Sequence, residues 1–403
     1  MYHRTRINSN DRNKIYICII LVLLCFIGIG YSIIQSNIKF RGKAKMKAYI
    51  PLAFANQTKS GIVSTEEQNI SLTEPTGGSG DFIFDEKYEQ NSADEPTNYF
   101  SLVGNKIVVA ANTPKDTYSY VIAVTDNRRH QTIEATYTIR IKNDFANDSW
   151  SVIASNIKTD ANYYDLGDTK DVVISGLGTH KVRIVNTKTD EECVNDTYSE
   201  TACGVVFEFA DIITQHRMNP YDPEDAAING TTNGSGNKGG WEYSDMRAYL
   251  NNKSYLPDET YGIDYTSSGL FTKLPEDLQN AIIPTRVVSG YGQNDSSNFV
   301  TTNDKLYLLS RREVWNYTGP LDTASSNTKQ LEYYNKLGVT ESNYSGAIKK
   351  DSSNNANWWW LRGAYSNYYD NFYVVKSTGD VDRYASYSSG GVSPAFRIDS
   401  SAD

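Results

Sequence analysis

From Ile15 to Ile34 the chain reads IYICIILVLLCFIGIGYSII, twenty residues without a charge. A helix rising about 1.5 Å per residue needs about that length to cross a hydrocarbon core about 30 Å thick. The stretch sets the plan of the chain: a short tail, one membrane crossing, and a long body on the far side of it. The expected segments are a cytoplasmic tail over 1–14, a transmembrane helix over 15–34 and a basic juxtamembrane linker over 35–47. A cleaved signal peptide is the competing reading. Its apolar region would be shorter and followed by a small-x-small cleavage site, whereas Gln35 to Lys47 continues into a basic tract.

Flanking charge alone would keep the body inside, because Arg4, Arg6, Arg12 and Lys14 are offset by Asp11, while Lys39, Arg41, Lys43, Lys45 and Lys47 follow the span. Long domains, however, translocate largely regardless of such flanks. The body is acidic, since the whole chain holds 39 Lys+Arg against 48 Asp+Glu and residues 1–47 hold nine of those cations and one of those acids. We therefore expect a single-pass protein of the cell membrane with its body extracellular and its basic tract near anionic lipid or wall polymer. An acidic body argues against nucleic acid as partner. A mean hydropathy of -0.52 beside 30 tyrosines excludes both a polytopic membrane protein and a disordered chain. Four scattered histidines and no CxxC pair predict no metal site, and no cofactor is expected. Cys18 and Cys25 lie in the span. Cys193 and Cys203 bracket VNDTYSETA, a spacing that either a hairpin disulfide or two free thiols would suit.

Residues 48–143 alternate apolar and polar positions in short runs, IVST, NISLTE, FIFDE, KIVVAA, YSYVIAVTD and ATYTIRI, separated by turn-rich stretches. This predicts an all-β sandwich. Residues 144–403 mix strands and helices without βαβ regularity and predict an α+β domain. Strands are expected at 149–153, 171–174, 181–185 and 204–209, and helices at 244–250, 275–282, 310–315 and 328–337. Ser310 and Glu313 fit a capping box. The stretch 219–240, ending NGTTNGSGNKGG, reads as surface loop too glycine-rich to pack.

The end of the chain carries the most chemistry. Trp358, Trp359 and Trp360 cannot all face water, so at least one or two anchor a core, with Arg362 in the same scaffold. Asn371–Val375 and Val381–Tyr384 flank KSTGD as a hairpin turning at Thr378-Gly379, and Pro394–Ile398, including Phe396, forms a sealing strand. Of the 26 residues 364–389, six are Tyr, five Ser, three Asp and two Asn. Tyr supplies stiff amphipathic contact area and Ser and Asn supply adaptable hydrogen bonds, the mixture found in antibody paratopes. The candidate ligand-binding residues are Ala364, Tyr365, Ser366, Asn367, Tyr368, Tyr369, Asp370, Asn371, Arg383, Tyr384, Ser386, Tyr387, Ser388 and Ser389. The plainer alternative is that these residues decorate solvent-facing strand positions.

Three resemblances follow from these motifs. The run NYFSLVGNKIVVAANTPKDTYSYVIAVTDNRRHQTIEATYTIRI resembles a cadherin-like repeat, which implies a cadherin- or Ig-like spacer; of that family's calcium carboxylates only Asp126 has a counterpart. Along Asp144–Ile398 the motifs GVVFEFADII, GGWEYSDMRAYLNN, NDKLYLLSRREVW, WWWLRG and GGVSPAFRI resemble an uncharacterised surface domain of gram-positive gut bacteria. Gly363 and Ser393 depart from that domain's usual Ser and Arg. The ending is also similar to the C-type-lectin-like variable proteins diversified by retroelements, whose adenine-derived codons yield the palette seen at 364–371 and 384–389. That resemblance implies a C-type-lectin-like fold displaying variable contact residues.

The same scaffold resembles formylglycine-generating oxidases, but no cysteine lies beyond Cys203, and no G-x-S-x-G, H-E-x-x-H or Walker motif occurs. No catalytic residue is assigned. The expected function is surface-anchored ligand binding, to a protein or glycan partner outside the cell. The alternative is a structural envelope protein that self-associates through the same aromatic surface.

Overall fold

The computed structural model describes residues 50–189, 191–220, 236–255, 263–292, 299–317 and 328–398. The expected tail, transmembrane helix and basic linker lie outside the described residues. Among the described residues no helix is long and apolar enough to cross a membrane. The protein is mostly β, built from several sheets, and Leu52–Asp403 forms one compact unit.

Its first part pairs a four-stranded sheet with a three-stranded one. Strands run in the order Gln57–Ile62, Gln131–Lys142, Asp116–Asp126 and Phe82–Gln90 in one, and Gln68–Ser71, Lys106–Val109 and Phe100–Val103 in the other. Alternation decides the register: Tyr118, Tyr120, Ile122 and Val124 meet Ala135, Tyr137, Ile139 and Ile141 in one core with Ile107 and Val109. The first strand lies at Gln57–Ile62, ending on the first residue of the IVST run. Parallel pairing with Tyr137–Lys142 fixes it there, and as an edge strand it stays largely polar. Asp126 is fully buried and accepts from the backbone N–H of Ser79 (2.6 Å), Arg128 (3.1 Å) and Arg129 (3.1 Å) and from the Ser79 hydroxyl (2.5 Å). It closes a turn with the chain's own donors.

The expected strand at 149–153 is instead the start of a helix, Trp150–Thr159, capped by Ser149. Trp150, Ile153 and Ile157 recur at helical spacing and are buried, a period too long to show in a five-residue window. Lys142 Nζ reaches Asp168 at 2.8 Å and Lys115 Nζ donates to the carbonyls of Asn162 (2.9 Å) and Tyr163 (2.6 Å), tying the sandwich to the segment that follows this helix.

Two five-stranded sheets share the second core. One runs Ile282–Ile283, Ala395–Ile398, Val206–Phe209, Gly178–Asn186, Thr169–Ile174, with Phe207 and Phe396 stacked at 5.4 Å. The other runs Thr214–His216, Gly390–Val392, Trp359–Ala364, Asn371–Val375, Val381–Ala385. Short helices at Asp245–Asn251, Glu276–Ala281 and Arg311–Trp315 fall where expected, the first and last capped by the Ser244 and Ser310 side chains and the second begun after Pro275. The last is a complete capping box with Glu313. The helix expected over 328–337 shrinks to Glu332–Lys336, because Thr328 Oγ1 and the Leu331 N–H are drawn onto Glu313 (3.1 and 3.0 Å) and stay out of helical geometry.

Two buried carboxylates, Glu313 and Glu208, fasten this core through ion pairs. Arg362 donates bidentately to Glu313 at 2.6 and 2.8 Å. Glu208 receives Arg183 at 2.5 Å, Lys349 at 2.7 Å and the Tyr334 hydroxyl. Burial pulls the Lys349 amine down to about 8, against the opposite effect of Glu208.

Candidate functional site

The strand Trp359–Ala364 is buried throughout, and its two tryptophan N–H groups are spent on carbonyls, Trp359 on Ala347 (3.2 Å) and Trp360 on His216 (2.8 Å). Trp358 is half-buried and meets Trp360 and Tyr384 edge-on at 5.0 and 4.6 Å. Gly390 and Gly391 are required beside it: a Cβ on Gly390 would lie 2.1 Å from the Trp358 ring and one on Gly391 2.6 Å from its carbonyl oxygen. Phe396 is buried in the closing strand Ala395–Ile398, and Pro394 is buried just before it. The hairpin forms as expected, Asn371–Val375 against Val381–Ala385, with Gly379 at a φ of 94°.

On this floor stand two loops, 365–370 and 386–389. A residue distant in sequence holds the first. Asn237, fully buried, donates its Nδ2 to the carbonyls of Tyr365 (2.8 Å), Tyr368 (2.7 Å) and Asn371 (2.7 Å), and its backbone N–H to Tyr369 (2.6 Å). The second is held through Ser386, whose N–H donates to Asp370 O (2.6 Å) and whose carbonyl accepts from Met218 (2.8 Å) and Asn219 (3.0 Å). So the described end of the 219–240 stretch packs closely, contrary to expectation; residues 221–235 lie outside the described residues. Glycine is what allows it, since a Cβ on Gly240 would sit 2.0 Å from the Gly290 carbonyl oxygen. No local pattern marks Asn237, whose partners lie 128 to 134 residues away.

Burial sorts the candidate residues. Ala364, Tyr365, Ser366 and Ser386 are buried; Tyr369, Asp370, Asn371, Tyr384 and Ser388 are half-buried; Asn367, Tyr368, Arg383, Tyr387 and Ser389 are exposed. Only the last two groups present appreciable side-chain surface to solvent. A ladder of rings and cations runs behind them: Arg311 lies over Tyr317 (3.3 Å) and Tyr373 (4.6 Å), Tyr373 meets Tyr365 edge-on (5.5 Å), and Arg383 lies over Tyr365 (4.6 Å) and Tyr368 (5.4 Å). Near the Tyr317 end opens a cleft of about 780 Å³ lined by Trp315, Tyr317, Gln330, Asn335, Thr340 and Glu341. Sequence reading gave no sign of it.

Beneath the sheet a second polar cluster gathers. His216 stacks on Tyr249 at 4.2 Å, its Nδ1 donates to the Arg217 carbonyl at 2.7 Å, and Tyr265 OH lies 3.3 Å from its Nε2. The same hydroxyl lies 3.1 Å from Asp245 Oδ2, and Asp245 Oδ1 is buried without a hydrogen-bond partner among the described residues. Burial pulls the imidazole down to about 4 and pushes the Asp245 carboxyl up to about 6, the latter against hydrogen bonding from Tyr265 and the charge of Arg217. Among the described residues no group of three His, Cys, Asp or Glu is placed to hold a metal ion. Cys193 and Cys203 are joined in a disulfide, Cα to Cα 5.5 Å.

Residues 213–400 match the family described as a domain of unknown function, DUF6273. The match takes in every strand of the sheet that carries the cassette, whereas Thr169–Ile174, Gly178–Asn186 and Val206–Phe209 of the neighbouring sheet precede it. Within the DUF6273 portion lie the tryptophan floor, both loops and their Asn237 brace. No curated protein matches the chain. Among solved structures it matches Sidekick-1 immunoglobulin domains 1–4 at 8% identity and a TM-score of 0.17, over 38% of this chain and 31% of that one. At that TM-score the two folds are not equated.

Two predictions follow. Asn237→Ala removes the donor to three loop carbonyls, so amide exchange over 365–371 should quicken at least about tenfold while that of Trp359–Ala364 is unchanged; equal rates would show that the loop holds its own shape. For Asp245, the folded value of about 6 lies above the ordinary 3.8, so the folded state keeps a proton that the unfolded chain loses between those values. Its contribution to stability therefore falls as pH rises through that window. Asp245→Asn should gain on the wild type between about pH 4 and 6 by on the order of 2–3 kcal/mol in urea denaturation, and parallel profiles would rule the buried carboxylate out.

Proposed function

We propose that the chain is a single-pass, surface-anchored protein whose C-terminal body binds a macromolecular or glycan ligand outside the cell. In this reading 15–34 is the membrane anchor, 48–143 a cadherin-like spacer, and 144–403 a C-type-lectin-like display domain. One observation carries it: Asn367, Tyr368, Tyr387 and Ser389 stand exposed on loops whose shape is held from elsewhere, by the Asn237 side chain and the backbone N–H groups of Asn237, Met218 and Asn219. Pre-set loops carrying tyrosine and small polar side chains lose little entropy on binding. The disulfide supports the outside orientation, since cytosolic thiols are kept reduced.

Exposed and floor residues should separate in experiment. Tyr368→Ala and Tyr387→Ala should weaken binding to the ligand returned by a glycan array or surface-protein screen by about tenfold or more each and leave the melting curve in place. Trp360→Ala should cost about 3–5 kcal/mol of stability. Tyrosine variants that unfold as readily as the tryptophan variant would end the paratope assignment. Concentration-dependent light scattering from residues 48–403, lost on Tyr387→Ala, would favour the self-associating envelope protein instead.

Diversification of 364–389 by a retroelement belongs to the same proposal, and it is supported by the Asn237 brace, which holds the loop by carbonyls and not by side chains. Sequencing the 3′ end of the gene across a clonal population should find substitutions confined to adenine-derived codons, with a template repeat and a reverse transcriptase nearby. A uniform sequence without such a neighbour leaves a fixed adhesin.

A further inference from the structure

Four cations lie between residues 358 and 398: Arg362, Lys376, Arg383 and Arg397. Arg362 is paired with Glu313, Lys376 lies 2.7 Å from Asp380, and Arg397 lies 3.1 Å from Glu200. Arg383 differs. It is exposed, its guanidinium meets no carboxylate among the described residues, and its neighbours are the faces of Tyr365 and Tyr368.

Stacking occupies the flat faces of a guanidinium and leaves its in-plane N–H donors unused. Those donors fit the two oxygens of a carboxylate as a fork. Their position is set in advance, because Tyr365 is buried, braced edge-on by Tyr373 and held at its carbonyl by Asn237. A cation so ordered forms a salt bridge with less loss of side-chain freedom than a mobile lysine would.

Among the described candidate residues of 364–389, only four besides Arg383 are exposed. Tyr368 is 51% exposed and Tyr387 42%, with Asn367 and Ser389 beside them in the loops. A protein partner engages roughly 20–30 residues a side, whereas one or two sugar rings need only an aromatic face and a handful of polar groups. We propose that Arg383 anchors the carboxylate of an acidic glycan, a uronic or sialic acid residue, with Tyr368 and Tyr387 as the apolar walls. This rests on the reading of 364–389 as the ligand surface and specifies its ligand class.

The test uses the full chain in detergent on an array holding uronic- and sialic-acid oligosaccharides beside their methyl esters and neutral parents. The acid forms should be retained and their methyl esters lost. Arg383→Gln should weaken the acid forms at least tenfold with an unchanged melting curve, and Arg383→Lys should fall between. Equal retention of esters, or Arg383→Gln binding as well as wild type, overturns the carboxylate anchor; a Tyr387→Ala loss in that same experiment keeps the surface assignment standing. Retention of no glycan at all overturns the ligand class, and a protein ligand displaced by Tyr387→Ala would then still uphold the surface.

Discussion

The pairing of Glu313 with Arg362 holds together parts of the chain that share no sequence neighbourhood. Both side chains are fully buried, and the carboxylate also accepts from the Ser310 N–H (2.7 Å) and the hydroxyls of Thr201 and Thr328. Arg362 in turn donates to the Leu308 carbonyl at 2.9 Å. One charge pair thus joins the helix Arg311–Trp315, the tryptophan strand, the disulfide-bearing segment and the approach to Glu332. Two buried ions are tolerated because their hydrogen-bonding capacity is almost fully used; removing either partner strands the other at a cost of about 3–5 kcal/mol.

The Glu208 cluster does the same work for the adjoining sheet. It collects Arg183, Lys349 and Tyr334 around one carboxylate, and Lys349 passes on to the Phe209 carbonyl (2.9 Å) and the Ser393 hydroxyl (2.6 Å). Lys349 also lies over the Trp359 ring at 4.5 Å, so the floor under the loops touches a buried charge on its inner side and the His216–Tyr249 stack nearby. The side chains beneath the cassette are tied down in detail by hydrogen bonds and ion pairs.

What could be read from the sequence was local. The capping box at Ser310, the hairpin at Gly379, the burial of Trp359 and Trp360 and the alternation in the sandwich each declare themselves within a dozen residues. Asn237 and the pairing of Glu208 with Tyr334 and Lys349 do not, because each depends on a group more than a hundred residues away. Two of the misreadings have the same origin: Gln57–Ile62 is a strand because Gln131–Lys142 lies beside it, and 328–331 stays out of the helix because Glu313 claims its donors; another, at Trp150–Thr159, is a local period read in too short a window. Of the candidate surface, residue type was legible but exposure was not, and exposure is what separates Tyr365 from Tyr368.

The brace at Asn237 grips the loop by its carbonyl oxygens, which every residue possesses. Replacing Tyr368 or Asn367 alters what the loop offers to the outside while the folding equilibrium scarcely registers the change. Selection for a stable fold is blind at these positions, and selection for a partner acts on them almost alone.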